Sequence, residues 1–308
     1  MEKRYNSYVD HFRAKYGDRL QKLVLDAGFT CPNRDGTVGT GGCTYCDNAA
    51  FHPGYSTPDK PLSQQIEEGI EFHKVRYPRA SRYLAYFQAF SNTYAPLERL
   101  RELYTQALAH PAVEGIVIGT RPDCVDAAKL DYLASLQEAG KVVVVEYGIE
   151  SCCDKTLLRI NRGHDFACAR KAVEMTAGRG LEVGAHFILG LPGETPAMLL
   201  DQCAAINALP LTSVKFHQLQ LIKGTAMEKE YERCPQDFWR PGLDEYLDLI
   251  VDILERLRPD LCIERIASEV PPRFVRQTPW GLVRNFQILR MLDARLESRD
   301  TFQGRLFK

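Results

Sequence analysis

A chain of 308 residues that is 45% apolar and 26% charged can bury a large core, most simply as one big α/β domain with appendages. Its formal net charge of −1 excludes a global basic field, so any nucleic-acid contact must come from a local patch. No apolar run approaches a membrane span and no charged-then-apolar leader opens the chain, so the expectation is a cytoplasmic protein with no membrane partner, whose thiols stay reduced.

Residues 1–18 read as an N-terminal extension. A β-rich run at 20–25 then opens the core and leads into a loop, 27–60, that carries Cys31, Cys43 and Cys46. Three thiolates are one short of the usual four, and that shortfall fits an iron–sulfur cluster with one iron left open. The Cys-x2-Cys pair brings two sulfurs onto one small centre while the longer loop returns the third. Gly36, Gly39, Gly41 and Gly42 give the backbone freedom to wrap closely round a bulky inorganic core. Two other readings of the same thiols stay open. One is a Cys3His zinc site completed by His52, although the eleven-residue gap and the lack of a second Cys-x2-Cys pair fit paired zinc spacings poorly. The other is a disulfide, which a reducing compartment disfavours.

Further along, β-rich runs at 83–90, 115–119, 142–149, 182–189 and 213–219 alternate with helical spacing at 62–76, 97–110, 127–139, 166–179 and 197–209. Six β/α units point to parallel strands with helical crossovers, a partial (β/α)6 TIM-like barrel. The barrel core is expected over 19–260, with a C-terminal extension over 261–308. Sites in such barrels gather at the carboxyl ends of the strands. The unusual residues fall there: the cysteine loop, Gln88 to Asn92, Gly119 to Cys124, Glu146 to Ser151 with Arg159 to His164, Gly190 to Glu194, and Lys215 to Leu219.

From Val270 to Leu292 the chain holds Arg273, Arg276, Arg284 and Arg290, with no acidic residue, interleaved with Phe274, Trp280 and Phe286. Arginine among planar aromatics can grip phosphate and stack on unpaired bases. Arg273 and Arg276, with His217 at the rim, are therefore candidates for substrate binding; the plainer alternative is a C-terminal helix packed on the barrel. His164 sits at the same rim. Cys124, Cys168, Cys203, Cys234 and Cys262 read as small buried hydrophobes, while the adjacent Cys152 and Cys153 follow the fourth strand at the rim.

Taken together, Cys31-x11-Cys43-x2-Cys46, the run Gly119-Thr-Arg-Pro-Asp123, the run Asn161-Arg-Gly-His164 and the run Gly190-Leu-Pro-Gly193 resemble the radical S-adenosylmethionine superfamily. Arg4 to Tyr8 and Asp26 to Gly36 point within it to the bacterial YhcC/YtqA group, which is similar to the catalytic subunit of the Elongator complex. The x11 gap departs from the commoner Cys-x3-Cys-x2-Cys and marks a subgroup with an expanded cluster loop. The resemblance implies a 4Fe-4S cluster on Cys31, Cys43 and Cys46, whose open iron chelates the amino and carboxylate groups of S-adenosylmethionine. Cleavage then yields a 5′-deoxyadenosyl radical that abstracts hydrogen from substrate.

By position, the resemblance places Gln88 and Asn92 at the methionyl amino group, Glu150 at the ribose hydroxyls or methionyl group, and Arg162 at the carboxylate. It places Ile188, within Phe187 to Gly190, and Leu219 beside adenine. It further implies tRNA as partner, action at the C5 substituent of a wobble uridine, and a low-potential electron donor such as flavodoxin or ferredoxin. About 50 residues follow the barrel, too few for the acetyltransferase domain of the Elongator subunit. The expected chemistry is therefore trimming of an installed substituent, for example carboxymethylaminomethyl to aminomethyl. A radical enzyme acting on a small metabolite or peptide, and a zinc-stabilised RNA-binding protein, are the alternatives.

Overall fold

The computed structural model describes residues 3–78 and 80–308. Seven strands form one parallel sheet in strict sequence order: β1 (Gln21–Leu25), β2 (Tyr83–Phe87), β3 (Val113–Thr120), β4 (Val142–Glu150), β5 (Glu182–Leu189), β6 (Ser213–Gln218) and β7 (Cys262–Arg265). The helices are α1 (Tyr8–Tyr16), α2 (Leu62–Arg76), α3 (Leu97–Leu108), α4 (Ala127–Glu138), α5 (Asp154–Arg159), α6 (Phe166–Ala177), α7 (Pro196–Ala208), α8 (Ala226–Arg233), α9 (Leu243–Arg256) and α10 (Asn285–Ser298). Parallel neighbours require such crossovers. The sheet curls into a partial barrel, far enough for Lys22 on β1 to meet Glu264 on β7 at 2.6 Å across the opening.

The expected six strands need correcting to seven. The last strand is only four residues long and alternates weakly, so its sequence reads as part of the C-terminal extension. Its crossover, α9, also went unassigned at the sequence level. Acidic residues interrupt Leu243–Arg256, but its apolar positions recur at helical spacing and eight of its residues are buried.

Alternation along the strands sorts side chains onto two faces. Leu23, Leu25, Ala85, Phe87, Ile116, Ile118, Val143, Val145, Val183 and Phe216 point outward and form the main core with the helices. Full burial of such a side chain stabilises the fold by about 1.5–3 kcal/mol. Leu84, Tyr86, Val117 and Val144 point inward, and with Leu20 they receive Phe12 of α1. Helix α1 thus seals the mouth of the barrel at the amino ends of the strands. It begins at Ser7, whose hydroxyl accepts from the Asp10 amide, and ends on left-handed Gly17. Lys15 and Tyr16 fasten its far end to Glu182 of β5. The preceding residues add an edge contact, with Ser7 bridged to Ile263 in parallel.

Candidate active site

A cavity of about 570 Å³ opens into the barrel, and Cys31, Cys43 and Cys46 share its wall. Local folding of the eleven residues between the first two cysteines brings them together. The amides of Arg34 and Asp35 donate to the Cys31 carbonyl at 2.8 and 3.2 Å, so the chain turns at once. Asp35 and Thr40 then pair as an antiparallel bridge, and the Gly42 amide returns to the Asn33 carbonyl at 2.8 Å. The long gap is therefore a folded-back hairpin whose ends meet. Gly42 has φ +80°, and a Cβ there would lie 2.9 Å from Nε of Arg34. Glycine lets that guanidinium tuck against the loop and donate to the Cys46 carbonyl at 2.8 Å. Burial pushes the Cys46 thiol up, and Arg34 works against that shift.

A second tier holds the hairpin from behind. Buried Asn33 donates to the Asn161 carbonyl at 2.5 Å and comes within 3.7 Å of Cys43 Sγ. Asn161 returns a hydrogen bond to the Gly42 carbonyl at 2.8 Å. Next in sequence, Arg162 directs Nη1 to Cys43 Sγ at 3.4 Å and Nη2 to the Gly148 carbonyl, while its buried Nε has no protein partner. Arg121, clamped in two-pronged fashion by Asp123 at 2.8 and 2.7 Å, donates to the Arg162 carbonyl at 2.8 Å. Such paired, charge-assisted bonds fix orientation as well as adding energy.

Glu150 reaches the same place by an irregular route. The β4–β5 register slips between Gly148 and Glu150, and Glu150 takes φ +73°. A bulge of this kind re-aims a side chain, and the Glu150 carboxylate ends 3.8 Å from Arg162. A Cβ on Gly148 would sit 2.5 Å from that carboxylate and 2.9 Å from the Arg162 guanidinium, so only glycine leaves room for the pair.

The inner face below carries a charged layer. Glu146 on β4 accepts from Lys22 at 2.6 Å, Lys215 at 2.5 Å and His186 at 3.0 Å. Glu264 also faces Lys22, and lies 3.1 Å from Lys215. Burial opposes ionisation of Glu146, yet Lys215, Lys22 and His186 outweigh it and hold the carboxyl well below the usual range. Sequence reading placed Glu146 and Lys215 among the rim residues without recognising the layer they form with Lys22 and Glu264. Its signal was a charge inside an apolar strand, as in Val142-Val-Val-Val-Glu146 and Ser213-Val-Lys215-Phe.

Among the residues singled out from the sequence, the cysteines, Gln88, Glu150, Arg162, Ile188, His217 and Leu219 all line the cavity. Asn92 does not face it in this way: its fully buried amide donates to the Phe87 and Gly119 carbonyls at 3.1 and 2.7 Å, tying β2 to β3. His52, the fourth ligand of the zinc alternative, faces Asp26 at 3.6 Å. His164 turns its Nδ1 to the Asp165 carbonyl. Arg273 and Arg276 lie outside the cavity wall. Arg276 is engaged by Glu232 and, at 3.7 Å, by Glu228, whereas the Arg273 guanidinium lies over the Phe274 ring at 4.8 Å. Among the described residues, no helix is long and apolar enough to cross a membrane.

The sequence pattern of the Radical SAM superfamily matches residues 34–202, and that of the Radical_SAM C-terminal domain matches 211–298. Over 307 residues the chain is 38% identical to YtqA of Bacillus subtilis (strain 168), covering 100% of this chain and 94% of that protein. Identity to YhcC of Escherichia coli (strain K12) is 40% over 268 residues, 87% of this chain and 84% of that one. A tRNA uridine(34) acetyltransferase of Dehalococcoides mccartyi is 24% identical over 164 residues, which are 52% of this chain and 34% of that enzyme. The archaeal Methanocaldococcus infernus Elp3 with an N-terminal deletion shares the fold, with a TM-score of 0.68 at 15% identity over 92% of this chain and 64% of that one.

Proposed function

This chain belongs to the Radical SAM superfamily, and on that premise we propose that it modifies tRNA, taking hydrogen from a C5 substituent already installed on a wobble uridine. Trimming of carboxymethylaminomethyl to aminomethyl is the specific reaction proposed: the N–CH2 carbon of the substituent loses two electrons, with S-adenosylmethionine as the oxidant, and water hydrolyses the resulting imine, releasing glyoxylate and leaving the amine. The superfamily's 4Fe-4S cluster and S-adenosylmethionine are its cofactors, and when bound they supply one-electron hydrogen abstraction.

The protein's own residues hold, orient and enclose. Cys31, Cys43 and Cys46 line one cavity, and three thiolates would be a donor set suited to a cluster with one open iron. Gln88, Glu150 and Arg162 would position the methionyl and ribose groups, the unpartnered Nε of Arg162 being a donor that a bound carboxylate satisfies. Ile188 and Leu219 offer an apolar seat for adenine. Asn92 acts at one remove, by tying the turn that carries Gln88 to the sheet. Enclosure by the hairpin and the barrel wall keeps water from a reactive centre.

The substrate reading is supported chiefly by the 164 residues shared with an enzyme named for uridine 34 of tRNA. Arg273, stacked on Phe274 two residues after cavity-lining Pro271, supplies a contact suited to phosphate or an unpaired base. Since Arg276 is already paired, Arg273 is the stronger of the two candidates. A low-potential donor such as flavodoxin or ferredoxin would reduce the cluster. A cavity of about 570 Å³ is also of a size to admit a free metabolite, the second reading.

Reduced, cluster-loaded enzyme incubated with S-adenosylmethionine and tRNA from cells lacking the protein should change a wobble uridine nucleoside and release 5′-deoxyadenosine, both read by mass spectrometry. Deoxyadenosine without any altered nucleoside would discard the tRNA reading in favour of a small substrate. The Arg273→Gln variant should bind tRNA more weakly, with a shallower salt dependence and full iron content.

A further inference from the structure

The short last strand carries an irregularity of its own. Val214 pairs with Ile263 and Lys215 with Arg265, so the register shifts and Glu264 is left between them. In a regular strand, neighbours such as Glu264 and Arg265 point to opposite faces. Here Glu264 reaches inward to Lys22 and Lys215, while the exposed Arg265 borders both the cavity and a second pocket beside the N-terminal segment. Bulges beside sites re-aim side chains in this way.

Charge bookkeeping then singles out one group. In the inner layer Glu146 and Glu264 face Lys22 and Lys215, so these four balance. Arg265 has no carboxylate partner among the described residues. On the adjoining strand, His217 also lines the cavity and its Nε2 has no hydrogen-bond partner. Burial, His186 and Arg265 together hold the His217 imidazole well below its ordinary pKa, and a neutral imidazole carries one ring N–H donor and one acceptor nitrogen. Neither residue belongs to the cofactor-holding set, which lies on the cysteine loop, the turn after β2, β4, the loop after α5, β5 and, at Leu219, the end of β6.

We propose that Arg265 and His217 form a carboxylate subsite on the β6–β7 wall of the cavity, seating an acid group of the substrate. The assignment of that acid to a uridine substituent rests on the tRNA reading above. A guanidinium matches a carboxylate with two parallel N–H donors, whose geometry gives selectivity even though Arg265 itself is exposed. The subsite also separates substrate from product. Oxidation of the carboxymethyl group and hydrolysis release it as glyoxylate, and the nucleoside left behind carries an ammonium and no acid, so the guanidinium that holds the substrate repels the product nucleoside.

The test uses cluster-loaded enzyme saturated with S-adenosylmethionine, so that the cofactor's own carboxylate is already seated. Binding of carboxymethylaminomethyluridine, aminomethyluridine and acetylglycine is followed by saturation-transfer NMR in wild type, R265Q, R265K and R265E. Wild type should bind the acid nucleoside about tenfold or more tighter than the amine. R265Q should erase that ratio, R265K should retain part of it, and R265E should invert it, all with unchanged iron content and S-adenosylmethionine affinity. Acetylglycine bound by wild type and lost in R265Q, with neither nucleoside bound, upholds the subsite while removing the uridine assignment. Equal binding of acid and amine by wild type, or a ratio that persists in R265Q, overturns the subsite.

Discussion

Glu150 has a left-handed backbone, φ +73°, which costs a residue bearing a Cβ about 1–2 kcal/mol. Its neighbours hold it there, and non-glycine residues so placed cluster at functional sites. Comparing two substitutions separates backbone from side chain, because both remove the carboxylate and only one relieves the backbone. Glu150→Gly should be more stable than Glu150→Ala by about 1 kcal/mol in denaturant titrations, while both weaken S-adenosylmethionine binding measured by calorimetry. The cysteines yield a simpler expectation. Alanine at Cys31, Cys43 or Cys46 should drop reconstituted iron well below about four per chain, measured by metal and sulfide analysis with the helical circular dichroism signal retained. These three were legible in the sequence because thiols at close spacing carry their chemistry openly. Glu146 was not, since a lone carboxylate inside an apolar strand shows no purpose until the partners from three other strands are seen around it.

Helix α1 is an element whose purpose the sequence concealed. Read alone, residues 1–18 are polar and short. In the fold, Phe12 is buried among Leu20, Leu84, Val117 and Val144 as the stopper of the barrel's lower end. Phe12→Ala should cost about 3–5 kcal/mol, seen as a lowered denaturation midpoint with an unchanged slope. The β/α alternation was readable because buried parallel strands are dense in Val, Ile and Leu and their helices repeat at 3.6 residues. The last unit was missed because β7 is held by pairing and bridging ions more than by its own apolar content. The eleven-residue hairpin showed its glycines in advance. Its anchoring to the barrel did not, because that depends on Asn161, more than a hundred positions away in the chain.

Over the whole molecule, the layer formed by Lys22, Glu146, Lys215 and Glu264 joins the two edges of the curled sheet. Breaking a buried ionic set by removing one partner leaves uncompensated charge. Glu146→Gln should therefore destabilise by about 3–5 kcal/mol. The pH dependence has a definite sign. Glu146 is held well below the ordinary carboxyl pKa in the folded protein, so its contribution is present above the unfolded value of about 4.3 and is lost as pH falls through the folded one. Wild-type stability should fall below about pH 4 more steeply than that of Glu146→Gln, as measured by chemical denaturation across the acid range. The edge contact described for Ser7 has a temporal meaning too. Ile263 donates to the Asn6 carbonyl, and Gln303 binds both Arg4 and Asn6. A segment made early is thus completed by segments made late, and contacts of such long separation form slowly. During synthesis the stopper Phe12 meets its partners once Val144 has emerged, whereas the edge contact that fastens residues 4–7 waits for Ile263 and Gln303.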